Sequence, residues 1–102
     1  MHIIAYPIIK QFSKKYPDAE NALNAWYNTV KETDFENFSN LRKTFPSADK
    51  VNDCTVFNIG GNKYRLIATI HFNRKKVYIR YILTHSEYNQ GKWKNGCQKQ
   101  LE

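Results

Sequence analysis

Acidic residues are scarce in the second half of this chain. After position 53 only Glu87 and Glu102 are acidic, whereas nine residues there are Lys or Arg. The formal net charge of +7 is therefore the surplus of that half, nine minus two, because the first 53 residues hold seven charges of each sign. A neutral half joined to a basic half favours a face that binds a polyanion. A basic surface without a partner is the alternative interpretation.

Cysteine is also rare, and it does not cluster with histidine. Cys54 and Cys97 lack the spacing of metal ligands and have no nearby cysteine partner. Nothing in the sequence marks secretion, so we expect two free thiols in a cytoplasmic protein. His71 and His85 fall on opposite faces of the sheet predicted below, without a suitably spaced carboxylate. The sequence therefore predicts neither a metal site nor a cofactor.

Long apolar runs, repeats and linkers are missing. The apolar content of residues 1–10 is too short for a signal peptide or a membrane helix, so we expect no membrane association. The run Gly60-Gly61-Asn62 is better explained as a hairpin turn than as a nucleotide-binding loop. A length of 102 residues fits one domain, residues 1–102.

The first half of the chain predicts a short edge strand followed by two helices. Ile3 and Ile4 supply the apolar content of a strand over residues 1–6, and Pro7 suits the first turn of a helix. Pro17 ends that helix and can start the next. Two apolar stripes follow at helical spacing: Ile8, Ile9, Phe12 and Tyr16, then Ala19, Ala22, Leu23, Trp26, Tyr27 and Val30. Asp18 and Glu20 lie where they complement the dipole of the second helix.

The pattern weakens between residues 33 and 53. A short helical turn before Pro46 is indicated by Phe35, Phe38, Leu41 and Phe45. Residues 47–53 are loop-like in composition. We therefore predict an α+β domain in which a small, mainly antiparallel, curved sheet of about four strands packs one face on two N-terminal helices.

Residues 54–84 predict three strands joined by two tight loops. If residues 60–63 form the first loop, Ile59 faces Tyr64 across the hairpin, and Phe57 faces Leu66. If residues 73–76 form the second loop, the expected pairs are Phe72–Val77, Ile70–Ile79 and Ala68–Tyr81. All these residues lie on one apolar side. The assignment depends on register, because a slip of one residue exchanges the two faces.

The opposite side of the predicted sheet is mixed. Asn58, Arg65 and Thr84 form a polar row at the end from which His85 and Tyr88 emerge. Val56, Ile67 and Ile82 form the next row, which is followed by Cys54, Thr69 and Arg80. His71 pairs with Tyr78 at the far end. The polar row is therefore the place where phosphate chemistry is expected.

Cleavage of RNA without a metal needs three functions, and this end of the sheet offers side chains for each. The 2′-hydroxyl must be deprotonated or aligned, the phosphate oxygens neutralised, and the leaving 5′-oxygen protonated. The imidazole of His85 suits acid or base chemistry near neutral pH. Tyr88 can orient the nucleophile or stack on a base. Charge stabilisation is assigned to Arg65 and Arg80, with Lys63 assisting from the hairpin loop.

Structural interpretations of the same residues stay open. His85 can simply cap the strand end through a backbone hydrogen bond, and Tyr88 can cover an edge of the core. Arg80 can pair with a carboxylate of residues 33–53. The cations Arg74, Lys75 and Lys76 suit a solvated loop tip, or they contact nucleic-acid backbone.

The segments V-F-N-I-G-G-N-K-Y-R-L-I-A at 56–68 and V-Y-I-R-Y-I-L-T-H at 77–85, followed by S-E-Y, resemble the HigB family of bacterial toxins. These toxins belong to the wider RelE-like group of toxin–antitoxin systems. The resemblance implies a RelE-like fold and a ribosome-dependent endonuclease that cuts mRNA in the ribosomal A site. The cut is made without metal, by attack of the 2′-hydroxyl, and arrests translation and growth.

The resemblance also implies partners and site residues. Besides mRNA and ribosomal RNA, it implies an antitoxin of the HigA kind that carries a helix-turn-helix domain. Arg65 matches the arginine that binds the scissile phosphate in RelE-like toxins, and Tyr88 resembles their C-terminal active-site tyrosine. RelE also uses lysines on the preceding strand, which is Val-Phe-Asn-Ile here. Because that strand has no lysine here, the role of general base moves to His85 or Lys63.

The candidate RNA-binding residues are therefore Asn58, Lys63, Arg80, Arg74, Lys75 and Lys76, beside the catalytic candidates Arg65, His85 and Tyr88. A basic module that occupies RNA or the ribosome without cutting it is the alternative function. A catalytically inactive relative of the toxins is a third.

Overall fold

A five-stranded sheet with strand order β1-β5-β4-β3-β2 organises the computed structural model, which describes residues 1–97. The last five positions of the predicted domain lie outside the described residues. The edge strand β1 runs parallel to β5, and the other neighbours are antiparallel. In chain order the elements are β1 (His2–Ile4), α1 (Tyr6–Lys15), α2 (Glu20–Glu32), α3 (Phe38–Thr44), β2 (Asp49–Val51), β3 (Cys54–Ile59), β4 (Tyr64–His71), β5 (Lys76–Thr84) and α4 (His85–Gln90).

The helices of the first half follow the predicted stripes. Pro7 lies in the first turn of α1, and Pro17 begins a 3-10 turn, Pro17–Ala19, that leads into α2. The buried side chains of the two helices face the sheet. Asn37 caps α3, because its side-chain oxygen accepts a hydrogen bond from the backbone N–H of Asn40 at 2.7 Å. The α+β prediction with N-terminal helices on one face is confirmed.

The prediction for residues 47–53 is wrong in one respect. Residues 49–51 form the short edge strand β2, which pairs with residues 54–56 of β3 and gives the sheet its fifth strand. Three residues of mixed polarity carry too little alternation to be recognised as a strand.

The β3–β4 hairpin has the predicted register. Ile59 pairs with Tyr64 and Phe57 with Leu66. Gly60 and Gly61 have φ of +61° and +69°, a left-handed conformation that glycine adopts without a steric penalty. The glycine pair thus fixes the loop, and the loop fixes the register.

The predicted β4–β5 register is wrong, because the second loop lies one residue earlier than expected, at 72–75, and a β-bulge interrupts β5. The strands rejoin at His71 and Lys76 after Lys75 takes the left-handed conformation at φ 56°. As a result Ile70 pairs with Val77 and Ala68 with Ile79. Beyond that point the residue pairing with Ile67 is Tyr81, which leaves Arg80 as the extra residue of the bulge.

The bulge exchanges the two faces of β5 on either side of Arg80. Val77 and Ile79 still face the helices as predicted, but Ile82 joins them and Tyr81 lies on the second face. Arg65 pairs with Leu83, whereas Thr84 pairs with Tyr64, so the predicted row of Asn58, Arg65 and Thr84 holds only for its first two members. His71 is paired with Lys76, although its ring still meets that of Tyr78 at 5.3 Å.

The second face of the sheet is covered by the C-terminal segment. After α4, a 3-10 helix over Lys92–Cys97 packs Trp93 and Cys97 on Val56 and Ile67. The expectation of free thiols is wrong, because this return of the chain places Cys97 beside the start of β3, where it forms a disulfide with Cys54. The contact joins residues 43 positions apart, which no local pattern reveals.

Candidate active site

Arg65 lies at the start of β4 and faces the second side of the sheet. Only 8% of the surface of Arg65 is exposed to solvent, although its side chain carries a charge. Nη1 donates to the carbonyl oxygens of Asn62 at 3.0 Å and Tyr64 at 3.2 Å. The N–H groups of Nε and Nη2 have no hydrogen-bond partner among residues 1–97. The hairpin loop therefore orients a guanidinium group that still has donors for an incoming anion.

Tyr88 contacts this guanidinium group. The Arg65 Cζ atom lies 5.1 Å from the centroid of the Tyr88 ring, within the range of a cation–π interaction. Arg65 and Tyr88 were both predicted as catalytic residues, and the structure brings them together. It thus assembles a cation from the start of β4 and a phenol from α4.

The start of α4 presents His85 and Tyr88 at this end of the sheet. Thr84 accepts a hydrogen bond from the Glu87 backbone N–H, and the Glu87 carboxylate accepts one from the Thr84 N–H, which forms a capping box. The backbone N–H of His85 also donates to the Lys63 carbonyl at 3.0 Å. The cluster 84–88, read from sequence as a strand end, is therefore the first turn of a helix, with Thr84 as its cap.

The His85 side chain is exposed and makes no hydrogen bond to any residue in the range 1–97. Only the backbone of His85 is tied to the Lys63 loop, so the imidazole is free to reach a substrate. The structural interpretation of His85 as a cap does not apply to its ring, because the cap is supplied by Thr84.

Lys63 forms an exposed ion pair with Asp18, with Nζ and Oδ2 3.5 Å apart. Asp18 lies in the turn before α2, and its Oδ1 also accepts a hydrogen bond from the Tyr64 hydroxyl at 2.7 Å. The Tyr64 hydrogen bond, with help from Lys63, lowers the pKa of the Asp18 carboxyl. The same hydrogen bond and burial raise the pKa of Tyr64 to about 12. Asp18 thus links the predicted site loop to the helices.

Two further RNA-binding candidates lie on the sheet itself. Asn58 is exposed and pairs with Arg65 across the hairpin, as predicted. Arg80 is exposed at the bulge, where its Nε donates to Thr69 Oγ1 at 3.0 Å. Thr69 Oγ1 also lies 4.0 Å from Cys54 Sγ, so the predicted row of Cys54, Thr69 and Arg80 persists. Arg80 pairs with neither a carboxylate nor the Arg65 group among the described residues.

The basic loop 74–76 lies at the opposite end of β4 from Arg65. Arg74 is exposed in the 3-10 turn, and Lys76 begins β5. Lys75 has a structural role, because its Nζ donates to the Phe35 carbonyl at 3.1 Å. The structure therefore separates these three cations from the catalytic candidates.

Trp93 is the site residue that sequence reasoning missed. It is 4% exposed, and its ring stacks on Tyr88 with centroids 5.1 Å apart and planes 13° apart. Its Nε1 donates to the Tyr88 carbonyl at 2.9 Å. The only available signal was a tryptophan between two lysines in a polar tail, which gave no sign of what it would contact.

Residues 1–97 contain no cluster of three or more His, Cys, Asp or Glu able to hold a metal ion. No helix within the same residues is long and apolar enough to cross a membrane.

Comparison with known proteins identifies the chain. The HigB toxin family, described as the RelE-like toxic component of a toxin–antitoxin system, matches residues 19–91. The chain is thus a RelE-like toxin, and its sheet and N-terminal helices are consistent with the RelE-like fold. Within that group it belongs to the HigB toxin family, and the resemblance seen in the sequence is confirmed.

Individual relatives extend over most of the chain. It is 37% identical to the mRNA interferase HigB of Escherichia coli O6:H1 over 93 residues, which cover 88% of this chain and 90% of that protein. The mRNA interferase toxin HigB of Escherichia coli (strain K12) and the mRNA interferase HigB of Shigella flexneri are each 37% identical over 92 residues. Those alignments cover 87% of this chain and 88% of each relative.

Proposed function

We propose that this chain is an mRNA interferase, an endoribonuclease that cuts mRNA displayed in the ribosomal A site. The names of its relatives support the reaction class. The observation that carries the proposal is the Arg65–Tyr88 pair, in which a nearly buried guanidinium group keeps free donors beside a phenol ring. A surface that only attracted RNA would not need an arginine held by two carbonyl groups.

The proposed step is an attack of the 2′-oxygen on the adjacent phosphorus. The P–O5′ bond breaks as the P–O2′ bond forms, which leaves a 2′,3′-cyclic phosphate and a 5′-hydroxyl. A base takes the proton of the 2′-hydroxyl, and an acid supplies one to the departing 5′-oxygen. Neither water nor a metal ion enters this step.

Arg65 suits the charge that builds on the phosphate. Its Nε and Nη2 donors can bind two non-bridging oxygens in the bidentate manner that lysine cannot match. Because Nη1 is already bound to Asn62 and Tyr64, the group needs little reorganisation during the reaction.

His85 is the better candidate for proton transfer, and Lys63 for neutralising charge. The imidazole is exposed at the start of α4, whereas the ammonium group of Lys63 is paired with Asp18. Tyr88 orients the nucleophile or stacks on a base. Asn58 and Arg80 extend the polar surface along which RNA would bind.

The partners follow from the family. A toxin of a toxin–antitoxin system implies a cognate antitoxin. We propose that it is HigA-like, with a helix-turn-helix domain, and that an acidic surface on it complements the basic half of this chain. Its gene would be a neighbouring reading frame. The proposed substrate places the toxin in the cytoplasm, on ribosomes, in contact with mRNA and ribosomal RNA.

Replacing Arg65 tests the proposal most directly. Purified protein is added to translating ribosomes, and the 5′ ends of the mRNA are mapped. Wild type is expected to cut within A-site codons, and Arg65→Ala to lose about 100- to 1,000-fold in cleavage rate, the usual cost of removing a donor to a developing anion. Arg65→Lys should recover little, because lysine lacks the fork. Arg42→Ala, which removes an exposed arginine of α3, is the matched control.

The chemistry of the new ends separates the mechanisms. A 5′-hydroxyl with a cyclic phosphate supports attack by the 2′-oxygen, whereas a 5′-phosphate indicates attack by water. If the protein pellets with ribosomes while the mRNA stays intact, the chain is a basic binding module, and the proposed activity is wrong.

A further inference from the structure

The last described residues form a strap, residues 92–97, across the second face of the sheet. Trp93 anchors its start, since the indole is 4% exposed between Tyr88 and the sheet. Cys97 anchors its end through the disulfide to Cys54 and through its carbonyl, which accepts a hydrogen bond from the Asp53 N–H at 3.0 Å. Both ends of the strap are therefore fixed to the sheet.

The strap touches the candidate active site at one side chain. Trp93 makes two interactions with Tyr88: their rings stack, and Nε1 donates a hydrogen bond to the Tyr88 carbonyl. Tyr88 in turn contacts the Arg65 guanidinium group. A chain of contacts thus runs from the disulfide through Trp93 and Tyr88 to Arg65.

Next to its disulfide end the strap also packs on Tyr81, at Gly96. A Cβ atom added to Gly96 would collide with the Tyr81 hydroxyl, and the Tyr81 ring atoms lie only 3.1 and 3.2 Å away. Tyr81 belongs to the same small core as Trp93 and Cys97. Lys94 and Asn95 are exposed, so a shift at Cys97 reaches Trp93 through this shared small core, which is close-packed at Tyr81.

We infer that Trp93 is a positioning residue for RNA cleavage, and that the Cys54–Cys97 disulfide holds it in place, so that reduction of this bond lowers the cleavage rate. The inference rests on the proposed function. Trp93 acts through Tyr88 and Arg65 and need not touch RNA. Displacement of a catalytic group by about 1 Å can cost roughly 100-fold in rate.

The redox step is a thiol–disulfide exchange. A dithiol reductant breaks the Sγ–Sγ bond, two thiols form at Cys54 and Cys97, and the dithiol is oxidised to its own disulfide. Two electrons and two protons pass from reductant to protein. The strap then loses its covalent anchor and keeps only its packing and hydrogen bonds.

Substitution of Trp93 provides the first test. Trp93→Phe retains the stacking and removes the Nε1 donor, so single-turnover cleavage on programmed ribosomes should fall roughly tenfold. Trp93→Ala should fall about 100-fold. Ribosome affinity, measured by pelleting, should change little in both variants. The exposed neighbour Lys92→Ala is the control within the strap, with cleavage expected as in wild type.

A double-mutant cycle separates positioning from general destabilisation. In a Tyr88→Ala background the backbone carbonyl at position 88 remains, but the phenol that Trp93 positions is gone, so Trp93→Phe should have little further effect on the cleavage rate. A purely structural role of Trp93 predicts the same loss of folded protein, by thermal melting, in both backgrounds. If cleavage per folded molecule is unchanged in Trp93→Phe, the inference is wrong.

The disulfide is tested with a dithiol reductant. Wild-type protein, with its thiols counted by alkylation and mass, should cleave more slowly once reduced and recover on reoxidation. The double variant Cys54→Ser/Cys97→Ser should cleave at the reduced rate and ignore the reductant. Equal rates for the oxidised and reduced forms of wild type overturn the redox part. Failure of oxidised wild type to cut mRNA under any condition overturns the proposed function instead.

Discussion

Seventeen buried hydrophobic residues fill the space between the sheet and the helices, whereas five form the core of the second face, within residues 1–97. The two cores are separated by one layer of backbone. On the helix face, each side chain is one of many. On the second face, Trp93 and Cys97 account for two of the five, and Trp93 also touches the candidate site. The large core therefore stabilises the fold, while the small one also sets the geometry of Arg65 and Tyr88.

Two adjacent residues of β4 provide the strongest test of this difference between the two cores. Leu66 faces the helices and Ile67 faces the strap, and both are 0% exposed. Truncation of either to alanine should cost roughly 2–5 kcal/mol of unfolding free energy, measured by urea denaturation. Cleavage per folded molecule should persist in Leu66→Ala and fall several-fold in Ile67→Ala, because Trp93 packs beside Ile67.

The comparison fails if the two variants lose cleavage activity in equal proportion to their loss of folded protein. In that case the small core would contribute stability alone. Ile67→Val, which removes one methylene group, serves as the milder control, with an expected cost of about 0.5–1.5 kcal/mol.

Gly96 allows a smaller test confined to the second face. Gly96→Ala should destabilise the protein by about 1–3 kcal/mol, because its methyl group forces the Tyr81 ring aside. A Tyr81→Phe background removes the hydroxyl that is hit first and should recover part of the loss. Thermal melting of the two single variants and the double variant measures that coupling. If the stability losses of the two single variants simply add up in the double variant, the Tyr81 hydroxyl is not what the Gly96→Ala methyl group collides with.

The Asp18–Tyr64 hydrogen bond, on the helix side, should give the smallest effect. The pKa of Asp18 is lowered, so its contribution to stability is present above the pKa of the unfolded carboxyl and is lost as pH falls through the folded value. The pKa of Tyr64 is raised to about 12, so its contribution is present below the unfolded value near 10 and is lost as pH rises through about 12.

Tyr64→Phe should therefore flatten the dependence of melting temperature on pH at both the acid and the alkaline ends. Tyr27→Phe, on α2, is the control and should leave the dependence intact. Similar pH profiles for wild type and Tyr64→Phe would show that the hydrogen bond contributes nothing measurable.

What the sequence predicts well is set by local signals. Two glycines fixed the β3–β4 register, and apolar periodicity located α1 and α2. The capping box of Thr84 and Glu87 follows a recognisable spacing, although the strand before it concealed the helix. The bulge at Arg80 has no such signal, since an extra residue in a strand depends on the curvature of the whole sheet.

For the site, the sequence predicts where the residues lie more readily than which of them are in contact. Arg65, His85 and Tyr88 were assigned to one end of the sheet, and the contact of Arg65 with Tyr88 follows from the fold. Trp93 and the disulfide escaped prediction because they depend on the return of the chain across the sheet. The returning segment, residues 92–97, holds one tryptophan and one cysteine, and neither indicates which part of the sheet it covers.

The pairing of β1 with β5 has a consequence for the order of events during synthesis. His2 pairs with Lys76, a separation of 74 residues, so the first strand has no partner until β5 has emerged from the ribosome. Contacts between distant parts of a chain slow folding, and parallel pairing cannot begin from a local hairpin. Arg65 and Tyr88 then meet only after α4 is made. A nascent chain therefore cannot assemble the Arg65–Tyr88 pair on the ribosome that makes it before residue 88 has left the exit tunnel.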